Sequence, residues 1–224
     1  QFATWLLISA SGIVLSSVVT VIVKNNKNRR KPWFPSIEYE YVFEEFTFEL
    51  LFLNRREIEL KSACKLRALR EVCEYTRRYY WTGSGNEKPV FIDNPHRHRL
   101  FDQDDNGPGQ KYKVVFATPL YAGDQTDFTV LIRCRDDACE MSPHHGFTVL
   151  RPTRKLILRL IFCDDLVDTV NMGVYTDNTA EIPLGKIQQV PLRQVAGLRI
   201  YEWEITKPGL LYYYRLSYLP FIDS

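Results

Sequence analysis

From Ile37 onward this chain turns over at every residue, and that period of two restricts the fold more than any other feature. Ile37, Tyr39, Tyr41 and Phe43 share one parity, with Glu38, Glu40 and Glu44 on the other. Phe46, Phe48, Leu50 and Phe52 then alternate on the opposite parity. Successive side chains of a strand point to opposite faces, so a parity change requires an inserted residue, here a bulge or bend near Glu44–Glu45. Ile58, Leu60, Cys64 and Leu66 continue the pattern between charged neighbours, as in a half-buried strand. Residues 67–74 are ambiguous, because Leu69, Val72 and Cys73 also fit one helical turn.

Beyond a polar stretch at 94–110, with a short strand expected at 99–101, strand signals resume at 111–117 and 127–133. They return at 147–150, 155–162, 169–175, 186–190, 198–205 and 210–218. Leu156, Leu158, Leu160 and Phe162 alternate with Ile157, Arg159 and Ile161, a nearly continuous apolar run that predicts a central strand. Lys207-Pro208-Gly209 reads as a hairpin-like turn. No segment after residue 36 sustains a helical period over three turns. These observations predict an all-β fold, an antiparallel β-sandwich or distorted barrel of about ten to twelve strands.

A different rule governs the start. Phe2 to Val23 contains no charge, and Lys24, Lys27, Arg29, Arg30 and Lys31 follow at once. As a helix the run extends roughly 33 Å, the thickness of a bilayer core. The expected organisation is a transmembrane helix at 1–23, a basic juxtamembrane linker at 24–35 and a β domain at 36–224. Basic residues on the downstream side place that domain in the cytoplasm, with the cluster meeting anionic headgroups. A cleaved signal peptide is the rival, but it carries its charges ahead of a shorter core and ends on a small-residue exit. Gly12, Ser16 and Thr20 recur every four residues on one helix face, the spacing that lets two spans pack and self-associate. Because the sequence opens on Gln1 rather than Met, a further span or domain can precede it.

Charge narrows the partners. Removing the five early cations leaves 24 basic against 27 acidic residues, a net of −3 for the remainder. A slightly acidic domain does not track a phosphate backbone, so nucleic acid is not the expected partner. The cysteines, five in number and without regular spacing, suit a reducing compartment better than a disulfide framework.

Catalytic patterns are absent. There is no G-x-S-x-G elbow, no phosphate-binding glycine loop and no H-E-x-x-H, so no catalytic residue is assigned. Asp102 to Gly107 resembles the opening of a calcium loop, yet the position that needs a bidentate Glu holds Lys113. Cys134, Cys139, His144 and His145 carry zinc-ligand chemistry, but adjacent histidines on an extended chain diverge, and no metal or cofactor is assigned. The loop holding His96 and His98 reads in the same way, as a solvated turn rather than a metal pair.

Aromatic density offers the remaining lead. Tyr79-Tyr80-Trp81 and Tyr212-Tyr213-Tyr214 are the densest runs, and one parity of each is expected to face outward. Arg77, Tyr79, Trp81, Tyr213 and Arg215 are the candidate ligand groove, with Arg77, Arg78 and Arg215 the residues to meet an anion. The plain alternative is that both faces of each run are covered by neighbouring elements. Two functional expectations lead, ahead of a hydrolase acting on a lipid or peptide substrate. One is a membrane-anchored recognition or sensing module for a protein or small ligand. The other is a membrane-perturbing effector of stress or defence signalling, with the β domain as sensor and the helix as oligomerising element.

Overall fold

The computed structural model describes residues 38–86, 90–91, 98–103, 110–163 and 167–219. The expected span, its Gly12, Ser16 and Thr20 face, and the basic cluster Lys24, Lys27, Arg29, Arg30 and Lys31 lie outside them. Among the described residues no helix is long and apolar enough to cross a membrane.

Every regular element described is a strand. In chain order these are β1 (Tyr41–Phe52), β2 (Glu57–Ala68), β3 (Val72–Tyr79), β4 (Gly85–Asn86) and β5 (Val90–Phe91). Next come β6 (His98–Gln103), β7 (Gln110–Leu120), β8 (Gln125–Arg135), β9 (His144–Thr148) and β10 (Lys155–Phe162). The series ends with β11 (Val170–Tyr175), β12 (Gln188–Gln189), β13 (Leu192–Val195), β14 (Leu198–Thr206) and β15 (Tyr213–Tyr218).

The strands form three sheets rather than the two layers of a simple sandwich. The largest has eight strands in the order β13-β14-β10-β1-β2-β8-β4, with β5 also paired to β8. A second runs β12-β11-β15-β9 and a third β3-β7-β6. Pairing is antiparallel except at the centre of the large sheet, where β1 lies parallel to β10 and Phe46 pairs with Leu156. That corrects the expectation of an antiparallel fold. Both strands are apolar on both faces in places, as parallel neighbours at a sheet centre tend to be.

The expected bulge is present: the β1–β2 register shifts between Phe43 and Glu45. One inserted residue keeps Tyr41 and Phe43 on the same inner face as Phe46, Phe48, Leu50 and Phe52, all of them buried. Glu44, displaced outward at the bulge, accepts ion pairs from Arg67 at 2.7 Å and Arg154 at 2.8 Å. The ambiguity at 67–74 resolves as the end of β2, a short turn and the start of β3.

The Lys207–Gly209 turn is not a hairpin. β14 belongs to the large sheet and β15 to the four-stranded one, so the chain changes sheets there. Lys207 and Leu211 adopt positive φ values of 50° and 67° to make that change. A single apolar core joins all three sheets. Phe52 stacks on Phe162 with ring centres 4.7 Å apart, and Tyr75 of β3 meets Phe43 of β1 and Phe128 of β8.

Candidate ligand-binding cleft

A cleft of about 560 Å³ opens between β3 and β9, above the inner face of β1 and β2. Its lining runs without a gap along 75–82 and again along 144–148. Both strands are terminal in their sheets: β3 pairs only with β7, and β9 only with β15, among the described strands. Consecutive residues of both parities therefore line the cleft because it follows two strand edges, not two strand faces.

Arg77 forms the floor. Alternation along β3 sends Tyr75, Arg77 and Tyr79 inward, toward β1. The guanidinium carbon lies 4.3 Å from the centre of the Phe48 ring, 4.8 Å from Phe46 and 5.3 Å from Phe147. Its Nη1 donates to Ser62 Oγ at 3.1 Å. Three ring faces are each worth about 0.5–2 kcal/mol to such a cation. Among the described residues Arg77 makes no ion pair.

His145 forms part of the same floor. Its ring centre is 4.2 Å from that of Phe48, and its Nε2 lies 3.1 Å from the Phe48 carbonyl oxygen. A carbonyl only accepts, so Nε2 carries the proton and Nδ1 the lone pair. Burial first, then the Arg77 and His144 charges, push its pKa down to about 3 against the opposing pull of the Phe48 hydrogen bond. The ring is neutral at physiological pH. Beneath them, burial pushes the Tyr112 hydroxyl up to about 12 and raises Tyr75 as well, so neither supplies an anion to Arg77.

One wall is fixed by a buried carboxylate. Asp136 Oδ1 accepts from the backbone N–H of Ser84 at 3.2 Å and of Glu140 at 3.1 Å, and from Ser84 Oγ at 3.4 Å. Its Oδ2 accepts from Met141 N–H at 2.8 Å. Ser142 N–H in turn donates to Thr82 Oγ1 at 3.0 Å. These bonds hold Trp81, Thr82, Met141 and Ser142 together at one end of the cleft. At the other end Arg151 lies 4.4 Å from the Tyr41 ring centre and 3.9 Å from a Glu40 oxygen. Tyr213 closes a side: its ring occupies the space a side chain at Gly146 would need.

Of the five candidate groove residues, Arg77, Tyr79, Trp81 and Tyr213 line this cleft. Arg215 does not. Its guanidinium stacks on Tyr175 at 3.8 Å, over the four-stranded sheet. The direction also differs from expectation, since Tyr75, Arg77 and Tyr79 face the core rather than solvent, and Tyr80 is the exposed member of its run. Phe48, Ser62, Phe147 and Arg151 were not singled out from the sequence. They reach the site only because β1, β2, β3 and β9 meet in space.

The remaining constellations do not converge. Cys134 is buried, Cys139 exposed, and His145 is engaged with Phe48. His98 is buried with Nε2 3.0 Å from Thr126 Oγ1, while His96 lies outside the described residues. Asp102 is the penultimate residue of β6, and residues 104–109 also lie outside them. Among the described residues no three His, Cys, Asp or Glu side chains are grouped to hold a metal ion.

No family model matches the sequence, and no curated protein matches it. Solved structures align with it at low identity. A putative protease from Parabacteroides distasonis aligns at 10% identity and TM-score 0.48, over 80% of this chain and 40% of its own. An M1 zinc metallopeptidase from Deinococcus radiodurans aligns at 9% identity and TM-score 0.46, over 80% and 42%. Leukotriene A4 hydrolase from Saccharomyces cerevisiae aligns at 9% identity and TM-score 0.44, over 88% and 32%. The chain thus spans less than half the length of these structures, and none of their chemistry is transferred to it.

Proposed function

We propose that this chain is a recognition module. Its β domain binds a ligand in the cleft between β3 and β9, and the segment at 1–35 holds that domain at the cytoplasmic face of a membrane. The observation that carries the first half is the cleft itself. A cavity of about 560 Å³ is within the usual range for ligand sites, and its lining combines aromatic and aliphatic side chains with hydroxyl, imidazole and guanidinium groups. The second half is supported by the uncharged run to Val23 and the basic residues after it. Tethering raises the local concentration of the domain for a partner at the same surface without any new contact. The Gly12, Ser16 and Thr20 face supplies a route to self-association.

Two measurements test this. In intact cells, protease added outside should leave the β domain whole, and the chain should pellet with membranes until detergent is added. Cleavage beyond Trp33, or a chain that stays soluble, rejects the anchoring half. For the recognition half, Thr148→Trp, at a partly exposed lining position of β9, fills the cleft, and ligand capture should fall while unfolding remains cooperative. Undiminished capture rejects the cleft as the site.

A further inference from the structure

We propose that the cleft receives an extended acidic peptide, added as a strand between β3 and β9, with one inward Asp or Glu meeting Arg77. This deepens the ligand-site reading and rests on it.

The edges come first. A terminal strand presents unpaired N–H and C=O groups, and proteins usually cover or blunt such edges. Here two of them border one cleft, from different sheets. A strand added to an edge gains main-chain hydrogen bonds, and its alternate side chains enter pockets below. β9 has five residues, which at about 3.4 Å each gives a slot roughly 17 Å long, enough to engage about five residues of a guest.

The floor selects the charge. Arg77, Arg78 and Arg151 are among the described lining residues, and no Asp or Glu is. The chain as a whole carries 27 acidic residues against 29 basic ones, so their exclusion here is a local property. Arg77 has its guanidinium carbon over aromatic rings, which accept none of its N–H donors in the way a carboxylate does. Ser62 and the Tyr75 hydroxyl take two of its five N–H donors. A desolvated guanidinium without a carboxylate is costly, and a guest carboxylate would complete it. Trp81 Nε1 is a second donor: it is buried, belongs to a lining ring and has no acceptor. Both call for an acceptor-only group. Beside them Phe48, Leu50, Leu60 and Phe147 offer an apolar surface for the neighbouring inward side chains.

The test pans a displayed library of random heptapeptides against the 224-residue chain in lipid nanodiscs. Selected sequences should share one Asp or Glu at a fixed position within alternating β-formers. A synthetic peptide of that sequence should lose at least tenfold in affinity when its acid becomes Gln. The same change should cost nothing against Arg77→Met, and Arg77→Lys should restore part of the discrimination. Hydrogen exchange should slow along 75–80 and 144–148 when the peptide binds. The peptide's own Glu→Gln comparison needs no protein variant, so a misfolded Arg77→Met would not remove the test. Selection of peptides without a fixed acid, or binding without protection of both edges, overturns the inference. So would Arg77-dependent, saturable binding of benzoate or adenosine monophosphate in place of any peptide, though that outcome would keep the cleft as a ligand site.

Discussion

The outer face of the large sheet and the floor of the cleft treat the same residue type in opposite ways. On the sheet, cations stand between carboxylates. Arg159 bonds Glu49 at 2.6 Å and Glu202 on the other side, and Lys155 lies 3.3 Å from Glu45 and 3.1 Å from Glu204. Arg133 meets Glu59, and Lys61 also reaches Glu49. In the cleft Arg77 has rings and two hydroxyls instead, those of Ser62 and Tyr75. The first arrangement is complete in the folded chain. The second is balanced only in part, which is how a protein holds binding energy in reserve for a ligand, at some expense of its own stability.

Four substitutions sharpen that contrast. Asp136→Ala should cost most, about 4 kcal/mol, because its buried carboxylate is the acceptor for four donors in the end wall of the cleft. Urea unfolding measures it, and a loss under about 1 kcal/mol would show that the wall does not depend on this carboxylate. Arg159→Met should cost about 3 kcal/mol by stranding Glu49, whose side chain is 9% exposed. Retained stability there would mean that Lys61 alone satisfies Glu49.

His145 gives a pH signature from the cleft side. Its folded pKa of about 3 lies below the ordinary 6.5, so between those values the unfolded chain binds more protons. Stability from this group is therefore full above about pH 6.5 and falls as the pH drops, by about 2 kcal/mol at pH 5. His145→Gln keeps a donor for the Phe48 carbonyl and should remove that part of the pH slope between 7.5 and 5. An unchanged slope assigns it to other groups. The smallest effect is the most telling. Arg77→Met should change stability by less than about 1 kcal/mol, since lost ring contacts and relieved desolvation oppose each other. If it costs as much as Arg159→Met, the two regions do not differ and the cleft arginine is structural.

The sequence made local features legible and distant ones not. The parity change at Glu44–Glu45 announced the bulge, and the run from Leu156 to Phe162 announced a strand central to its sheet. The shared parity of Arg77, Tyr79 and Trp81 put three cleft residues together, since period two is a property of neighbouring residues. Which way that parity faced was hidden, because Arg78 and Tyr80 stand on the opposite parity to Arg77 and Tyr79. The parallel β1–β10 pairing and the transfer of β15 to another sheet were also hidden, as nothing in a strand's own pattern names its partner. Phe48 and Phe147 look like any core residues until β3 brings Arg77 over both. Arg215 shows the limit of composition: it sits beside a tyrosine run, yet its position is set by Tyr175 across the sheet.

The parallel pair at the sheet centre has a consequence for synthesis. Glu49 and Arg159 face each other from positions 110 residues apart. At about 5–20 residues per second, the ribosome takes roughly 5–20 s to deliver β10 after β1 has emerged. For that interval the nascent chain carries Phe46, Phe48, Leu50 and Phe52 on a strand with one neighbour missing, a window in which a chaperone has an obvious place to hold.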